Sequence, residues 1–333
     1  MQTWPRKRSR QGSVSTRQRT VAGGKSATVP APNPAQGRRG GRSRSAEAAW
    51  AWLMISPLLL GLTIFYLWPI VQTLYFSFTE WGPFGGHTWN GLDNYRRLVG
   101  DDEVRQAIWN TLRYTFFSLV GIPIAVVFAA MLNQKGVRGV GFYRALFFLP
   151  VVTLPAAVAM VWRYLLNGDF GIVNYLLSFV GIDGPSWVGD GRYALYSLVA
   201  VGVWSSLGYN IVILLAGLQT VPRDLYEASA LDGAGPVRQF FSITVPMLSP
   251  SIFFVSVLSV IGALQMFDLV YVMVGRTSPA LQNTQTIIYL FYERAFVQND
   301  RGYGAAIVLV LLLLVLAMTF VQFRLQRRWV HYA

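Results

Sequence analysis

The sequence predicts an all-α protein that crosses a membrane six times. Three observations carry this reading: the composition, the lengths of the uncharged runs and the placement of the basic residues. Of 333 residues, 53% are hydrophobic and only 13% are charged, whereas a soluble chain carries roughly a quarter charged residues. A helix needs about 20 apolar residues to cross the hydrocarbon core. Six uncharged runs reach or approach that length: 32 residues between Glu47 and Glu80, 21 between Arg113 and Lys135, 18 between Arg144 and Arg163, 30 between Arg192 and Arg223, 29 between Arg238 and Asp268, and 22 between Arg301 and Arg324.

The spans are accordingly placed at 51–79, 108–132, 144–166, 194–219, 249–274 and 303–324, within a membrane domain of residues 47–328. Pro150 and Pro155 predict a kink in the third span. Two further apolar stretches fall short. The run 170–182 (FGIVNYLLSFVGI) has 13 residues, and 277–292 is rich in Gln, Asn and Thr, so both read as short external helices or loops. Basic residues mark the cytoplasmic side. With the N-terminus inside, 19 of the 28 Lys and Arg residues are cytoplasmic, and the opposite side carries nine of them with ten of the 15 acids. Long tails weigh little in this rule, yet the short loop QKGVRGVGFYR and the ending RLQRRWVHYA agree with it. Both termini are expected in the cytoplasm, with 329–333 as the closing tail.

Residues 1–46 hold Arg, Lys, Ser, Gly and Pro, with no acid and almost no apolar periodicity. Such a segment buries too little surface to offset its chain entropy and is expected to be a disordered basic tail, brushing anionic headgroups of membrane lipids. Nucleic acid is not its expected partner, because only Trp4 is there to stack on a base. A cleavable signal is excluded by the length of the hydrophobic segment that follows. Gly24-Lys25-Ser26 resembles the end of a phosphate loop, but Arg19 stands where the first glycine belongs.

Enzymatic chemistry finds no footing. The absence of cysteine removes thiol nucleophiles, thiolate metal sites and disulfides, and two distant histidines, His87 and His331, make no metal centre. Neither H-E-x-x-H nor G-x-S-x-G occurs, and Asp268 is the one carboxylate inside a predicted span. A lone acid there reads as a contact to a polar solute or as a structural hydrogen bond.

Between the fourth and fifth spans lies a polar loop, 221–248, on the cytoplasmic side. Pro222 suits the start of a helix, and Arg223 to Asp232 follows without a breaker. Leu225, Ala228 and Leu231 recur every third residue as a narrow apolar stripe, with Asp224 and Glu227 beside it. Gly233 stands where a left-handed C-cap belongs, Pro236 opens a second short helix, and Phe240, Phe241 and Ile243 are placed to hold it against the membrane.

Glu227-Ala228-Ser229, then Gly233, then Ile243-Thr244-Val245-Pro246 resemble the EAA motif of permease subunits in binding-protein-dependent ABC importers. The fuller EASALDGA and ITVPMLSP are most similar to the carbohydrate-uptake class of maltose- and glycerol-phosphate-type permeases. Ser229 and Val245 depart conservatively from the family's Ala and Leu. NYRRLV, FYRALFFLP, QMFDLVYVM and TQTIIYLFYERAF with GYGAA extend the resemblance over roughly 48–328. It implies the type I ABC importer permease fold in a bacterial inner membrane. The expected partners are ABC ATPase subunits that bind ATP and Mg, a second homologous permease, an extracytoplasmic solute-binding protein and a sugar. It also implies that Leu225, Glu227, Ala228, Ser229, Leu231, Asp232, Gly233, Ile243 and Pro246 form the coupling element that docks on the ATPase, moving with it as a rigid body.

Candidates for the solute path are Tyr209 and Asn210 in the fourth span and Gln265, Phe267 and Asp268 in the fifth. Amides suit sugar hydroxyls and a ring suits a pyranose face, although Asn210 and Gln265 equally fit interhelical hydrogen bonds. Two competing classes remain. A secondary transporter would show inverted repeats and coupling acids, and a membrane scaffold would use the hairpin without any path.

Overall fold

The computed structural model describes residues 41–81, 85–134 and 139–330, with side chains from Ala48 onward. The basic segment 1–40, Lys135 to Arg138 of the short loop, and His331 with the end of the closing tail lie outside the described residues. The chain divides into two units, Met1–Leu62 and Thr63–Ala333.

The described part of the first unit is one helix, α1 (Gly41–Leu62). It begins inside the stretch assigned by composition to the tail, because adding residues to an existing helix gains one hydrogen bond each whereas starting one is costly. Its side chains from Ala48 to Leu60 are all exposed, and Trp50, Trp52, Leu53 and Met54 are among them.

Among its described residues the second unit has helices and one ribbon, which the all-α expectation did not contain. Its helices are α2 (Trp68–Phe76), α3 (Asp93–Gly100), α4 (Asp102–Ser118), α5 (Gly121–Leu132), α6 (Val140–Val152), α7 (Pro155–Leu165), α8 (Ile172–Ser178), α9 (Ala194–Leu218), α10 (Arg223–Leu231), α11 (Pro236–Gln239), α12 (Val245–Met247), α13 (Ser249–Leu264), α14 (Leu281–Thr284), α15 (Ile287–Tyr292) and α16 (Arg301–Trp329). The ribbon pairs β1 (Thr79–Trp81) antiparallel with β2 (His87–Trp89), Thr79 opposite Trp89. Aromatic and β-branched residues suit a strand, and Gly85 and Gly86 take positive φ in the connection.

Among the described residues, four helical stretches are long and apolar enough to cross a bilayer: Ala48–Phe76, Asp102–Leu132, Ala194–Leu218 and Arg301–Trp329. Two bent pairs bring the number to six if each pair is one crossing. Val140–Val152 and Pro155–Leu165 meet at 100°, and Pro236–Met247 and Ser249–Leu264 meet at 68°. The third predicted span is therefore two helices. Thr153 and Leu154 are extended at ψ 145° and 127°, as a residue before proline prefers. Pro155, not Pro150, makes the break; Pro150 lies within α6.

The predicted fifth span, 249–274, also departs from one helix. It stops at Leu264, passes through Gln265-Met266-Phe267 and resumes as a short turn ending in the π-helical Val270–Val274. The backbone freed by this break is satisfied from elsewhere. Thr286 Oγ1 donates to the Met266 carbonyl at 2.9 Å in a buried position, which is what allows irregular backbone within a bundle.

The segment 277–292, expected as short external helices or loops, forms the short helices α14 and α15 and is packed inward. Asn110 Nδ2 donates to the Gln282 and Gln285 carbonyls at 2.9 and 3.1 Å, and the Ile287 amide donates to Thr111 Oγ1 at 3.0 Å. Thr284, Thr286, Ile287, Tyr289 and Leu290 are buried as a result.

Helix α9 is the axis of the main core, where Leu195, Leu198, Ile211, Leu214 and Leu215 bury against α5, α4 and α13. A second cluster joins Val104, Val260, Leu264, Leu290, Tyr303 and Ile307. Close approach at Gly208 sets the α6–α9 contact, since a Cβ there would stand 2.1 Å from the Phe147 carbonyl oxygen. Backbone cannot yield as a side chain does. Gly208→Val is therefore expected to cost about 1–3 kcal/mol or more, read as a lower midpoint in a thermal melt of the purified chain.

Where α4 begins, polar contacts tie distant segments together. Asp101 caps α4, accepting from the Glu103 and Val104 amides at 2.8 and 3.4 Å and from the Tyr303 hydroxyl at 2.6 Å. Arg294 pairs with Glu103 at 2.6 Å and approaches Asp101 at 3.9 Å. Arg97 pairs with Asp300 at 2.7 Å and lies 3.9 Å over the Tyr303 ring. Partial burial alone pushes the Asp101 carboxyl up, but the Tyr303 hydroxyl, the two amides and the Arg294 charge outweigh it and hold the group below its ordinary value. A carboxyl lowered in the fold stabilises above its unfolded value of about 3.9 and loses that contribution as pH falls through the folded value. The difference in melting midpoint between wild type and Asp101→Asn is thus expected to be full at neutral pH and to shrink below about pH 4.

Candidate functional site

The hairpin between α9 and α13 is built from local signals. Helix α10 ends in a Schellman motif: Gly233 takes φ 76°, its amide donates to the Ala230 carbonyl at 3.0 Å and the Ala234 amide to the Ser229 carbonyl at 2.9 Å. These are the crossed bonds that close a helix with a left-handed residue. Asp232 is the residue at the helix end and is exposed. Pro236 is at the start of α11, and a π-helical turn, Phe240–Thr244, leads into α12 with Ile243 half-buried and Pro246 in its first turn.

Of the predicted coupling residues, Leu225, Ala228 and Leu231 share an exposed face, with Leu231 90% exposed. The opposite side of α10 is fastened to the rest of the hairpin chiefly by Gln239 and Tyr226, which the sequence pattern did not single out. Gln239 Nε2 donates to the Tyr226 carbonyl at 3.0 Å and to Ser229 Oγ at 2.8 Å. The Tyr226 hydroxyl lies 3.0 Å from Thr244 Oγ1. Ser229, where the family motif has Ala, thus holds a latch that Ala could not make. Glu227 does not join the stripe. It lines a cleft of about 520 Å³ with Arg223, Gln239, Gln134 and Gln219, between the hairpin and the adjoining ends of α5 and α9.

The predicted path residues fall into two groups. Tyr209 is 45% exposed and Asn210 is buried, so the two neighbours point to different sides of α9. Leu269 packs beside Gly202, seven residues before Tyr209, a displacement of about 10 Å along the helix. Gln265 and Asp268 are exposed at the break after α13, and no described ion pair involves Asp268.

Phe267 belongs to an aromatic wall. Its ring stacks on Tyr271 at 5.2 Å and meets Tyr292 edge-on at 5.2 Å, while Tyr292 stacks on Phe296 at 5.9 Å. Behind the wall, Tyr289 Oη and Glu293 Oε2 are buried without a partner among the described residues. The other Glu293 oxygen accepts from Arg276 at 2.8 Å. Sequence reading missed Tyr271, Tyr289, Tyr292, Arg276 and Glu293. The signal for Tyr289, Tyr292 and Glu293 was the run YLFYERAF, which sets an acid and a base among aromatic residues; Tyr271 and Arg276 lie outside it. Among the described residues no group of His, Asp and Glu is placed to hold a metal ion.

Apolar spans, two of them broken, with a latched polar hairpin between α9 and α13, define a membrane transport component. Residues 121–331 match the family of binding-protein-dependent transport system inner membrane components, and the chain belongs to that family. It is 36% identical over 284 residues to the sn-glycerol-3-phosphate transport system permease protein UgpA of Escherichia coli (strain UTI89 / UPEC), covering 84% of this chain and 95% of that one. It is 34% identical over 306 residues to the probable ABC transporter permease protein YesP of Bacillus subtilis (strain 168), covering 90% and 97%. Its fold is similar to that of a bacterial ABC transporter involved in the import of the acidic polysaccharide alginate, with a TM-score of 0.75 at 21% identity over 86% of this chain and 98% of the other.

Proposed function

We propose that this chain is a translocation subunit of an ATP-driven carbohydrate importer in the bacterial inner membrane. It crosses the membrane six times with both termini in the cytoplasm, and forms half of the solute path beside a second homologous permease. The observation that carries the coupling half of this reading is the hairpin: α10 closed by Gly233, held from behind by Gln239 and presenting Leu225, Ala228 and Leu231 outward. An exposed apolar stripe on a braced helix fits docking into a groove of another protein. That partner is an ABC ATPase, which binds the ATP and Mg, since no phosphate loop is present in this sequence. Glu227, Ser229, Asp232, Ile243 and Pro246 shape the docking element rather than forming its apolar contact.

The solute path is assigned to Gln265, Phe267 and Asp268 at the helix break, extended by Tyr271 and Tyr292, with Tyr209 and Asn210 lower on α9. An uncompensated carboxylate facing lipid costs about 2.5–3.5 kcal/mol, so Asp268 fits a face turned to water or to a polar solute. The relative whose name gives its solute, the sn-glycerol-3-phosphate permease, supports the carbohydrate-uptake class. A solute-binding protein delivers the sugar, as in the alginate transporter bound to a pentasaccharide-loaded periplasmic protein.

The test is reconstitution in liposomes with the ATPase, permease and solute-binding protein encoded alongside this chain. Uptake of the sugar held by the binding protein is expected to require ATP on the hairpin side. Uptake driven by an ion gradient without the ATPase would make the chain a secondary transporter. ATPase binding with no uptake of any solute would make it a scaffold.

A further inference from the structure

At the end of α9 opposite the hairpin, a cavity of about 250 Å³ lies between α7, α8 and the first turns of α9. Trp162, Leu166, Val173, Trp187, Tyr196 and Val201 form most of its wall. Three of the polar groups of that wall are engaged within the chain. The Trp187 indole donates to Asn174 Oδ1 at 2.6 Å. Ser197 Oγ donates to the Trp187 and Tyr193 carbonyls at 2.9 and 3.2 Å. The Tyr196 hydroxyl accepts from Arg113 Nη2 at 3.3 Å.

What faces the cavity is almost entirely carbon. An apolar cavity does not hold water well, and a sugar entering it would find no partner for its hydroxyls. Asn174 fastens α8 over this space through the Gly168, Gly184 and Pro185 carbonyls. The outer side of α8 is itself apolar and exposed at Tyr175, Leu176 and Phe179. Trp162, Trp187, Tyr193 and Tyr196 surround the end of the span, as aromatic residues do where hydrocarbon meets headgroups. Arg113, half-buried at the edge, has no carboxylate partner among the described ion pairs.

We propose that this cavity binds one acyl chain of an anionic phospholipid from the adjacent leaflet, with the Arg113 guanidinium on the headgroup phosphate. Carbon walls at the membrane interface accept the chain, and the uncompensated cation supplies the complement to the phosphate. The lipid lies at the opposite end of α9 from the hairpin, and its binding does not depend on which solute is carried.

Native mass spectrometry of the purified full chain in detergent, titrated with dioleoyl phosphatidylglycerol, tests this. Wild type is expected to retain one lipid through detergent exchange. Ala200→Trp, which fills the cavity from α9, is expected to weaken retention about tenfold, the effect of about two methylenes left unburied. Arg113→Gln is expected to weaken phosphatidylglycerol several-fold and leave neutral diacylglycerol unchanged. Should Ala200→Trp not fold, Val173→Trp fills the same space from α8. Retention equal to wild type in a folded cavity-filling variant, no retained lipid in wild type, or displacement of the lipid by maltose would each overturn the proposal.

Discussion

Replacing Leu231 by Glu is expected to abolish association with the ATPase while leaving the membrane domain folded. Leu231 is 90% exposed, and a surface substitution of this kind costs within about 0.5 kcal/mol of stability. Docked into a groove, the same side chain is an apolar anchor, and losing one such anchor costs about 2 kcal/mol or more. Since about 1.4 kcal/mol is a tenfold change, co-purification of the ATPase should fall at least about thirtyfold, with transport lost in parallel. The melting midpoint of the isolated chain should stay that of wild type. A Leu231→Glu chain that still retains the ATPase would remove the stripe from the interface.

Asp268→Asn is expected to separate path from coupling in the opposite sense. Asp268 is exposed with no described ion pair, so the nearly isosteric amide should leave the fold and the ATPase association intact. A hydrogen bond from a sugar hydroxyl to a carboxylate is worth about 1.5–3 kcal/mol, so solute uptake should fall about tenfold to a hundredfold. The measurement is uptake by the complete transporter at fixed ATPase content. Unchanged uptake would move the path away from the break after α13.

The contrast between these variants follows from how each site is encoded. The hairpin is legible in sequence because its determinants are local. Gly233 supplies the left-handed cap, Pro236 starts the next helix, and the three-residue spacing of Leu225, Ala228 and Leu231 sets one face. Only the bracing by Gln239 escaped, since a glutamine ten or more residues away carries no periodic signal.

The aromatic wall was legible only at Phe267. Tyr271 was hidden in the apolar fifth span, and Tyr289 and Tyr292 come from a segment that reads as short external helices or loops and folds inward through Asn110 and Thr111, more than 170 residues distant. In water such a segment would solvate its own backbone. Within a bundle it must find donors and acceptors on other helices, and nothing in its own composition tells which ones.

Composition, charge spacing and the capping residues of the hairpin thus determined by themselves that this is a helical membrane protein with one ordered polar projection. Those properties depend on solvation and short-range backbone preference, which each residue carries with it. Tertiary structure alone decided where the fifth span breaks, which aromatic rings gather at that break and which face of α10 is held inward. Each of these rests on hydrogen bonds and close packing between segments far apart in the chain, and such partners are chosen only when the helices meet.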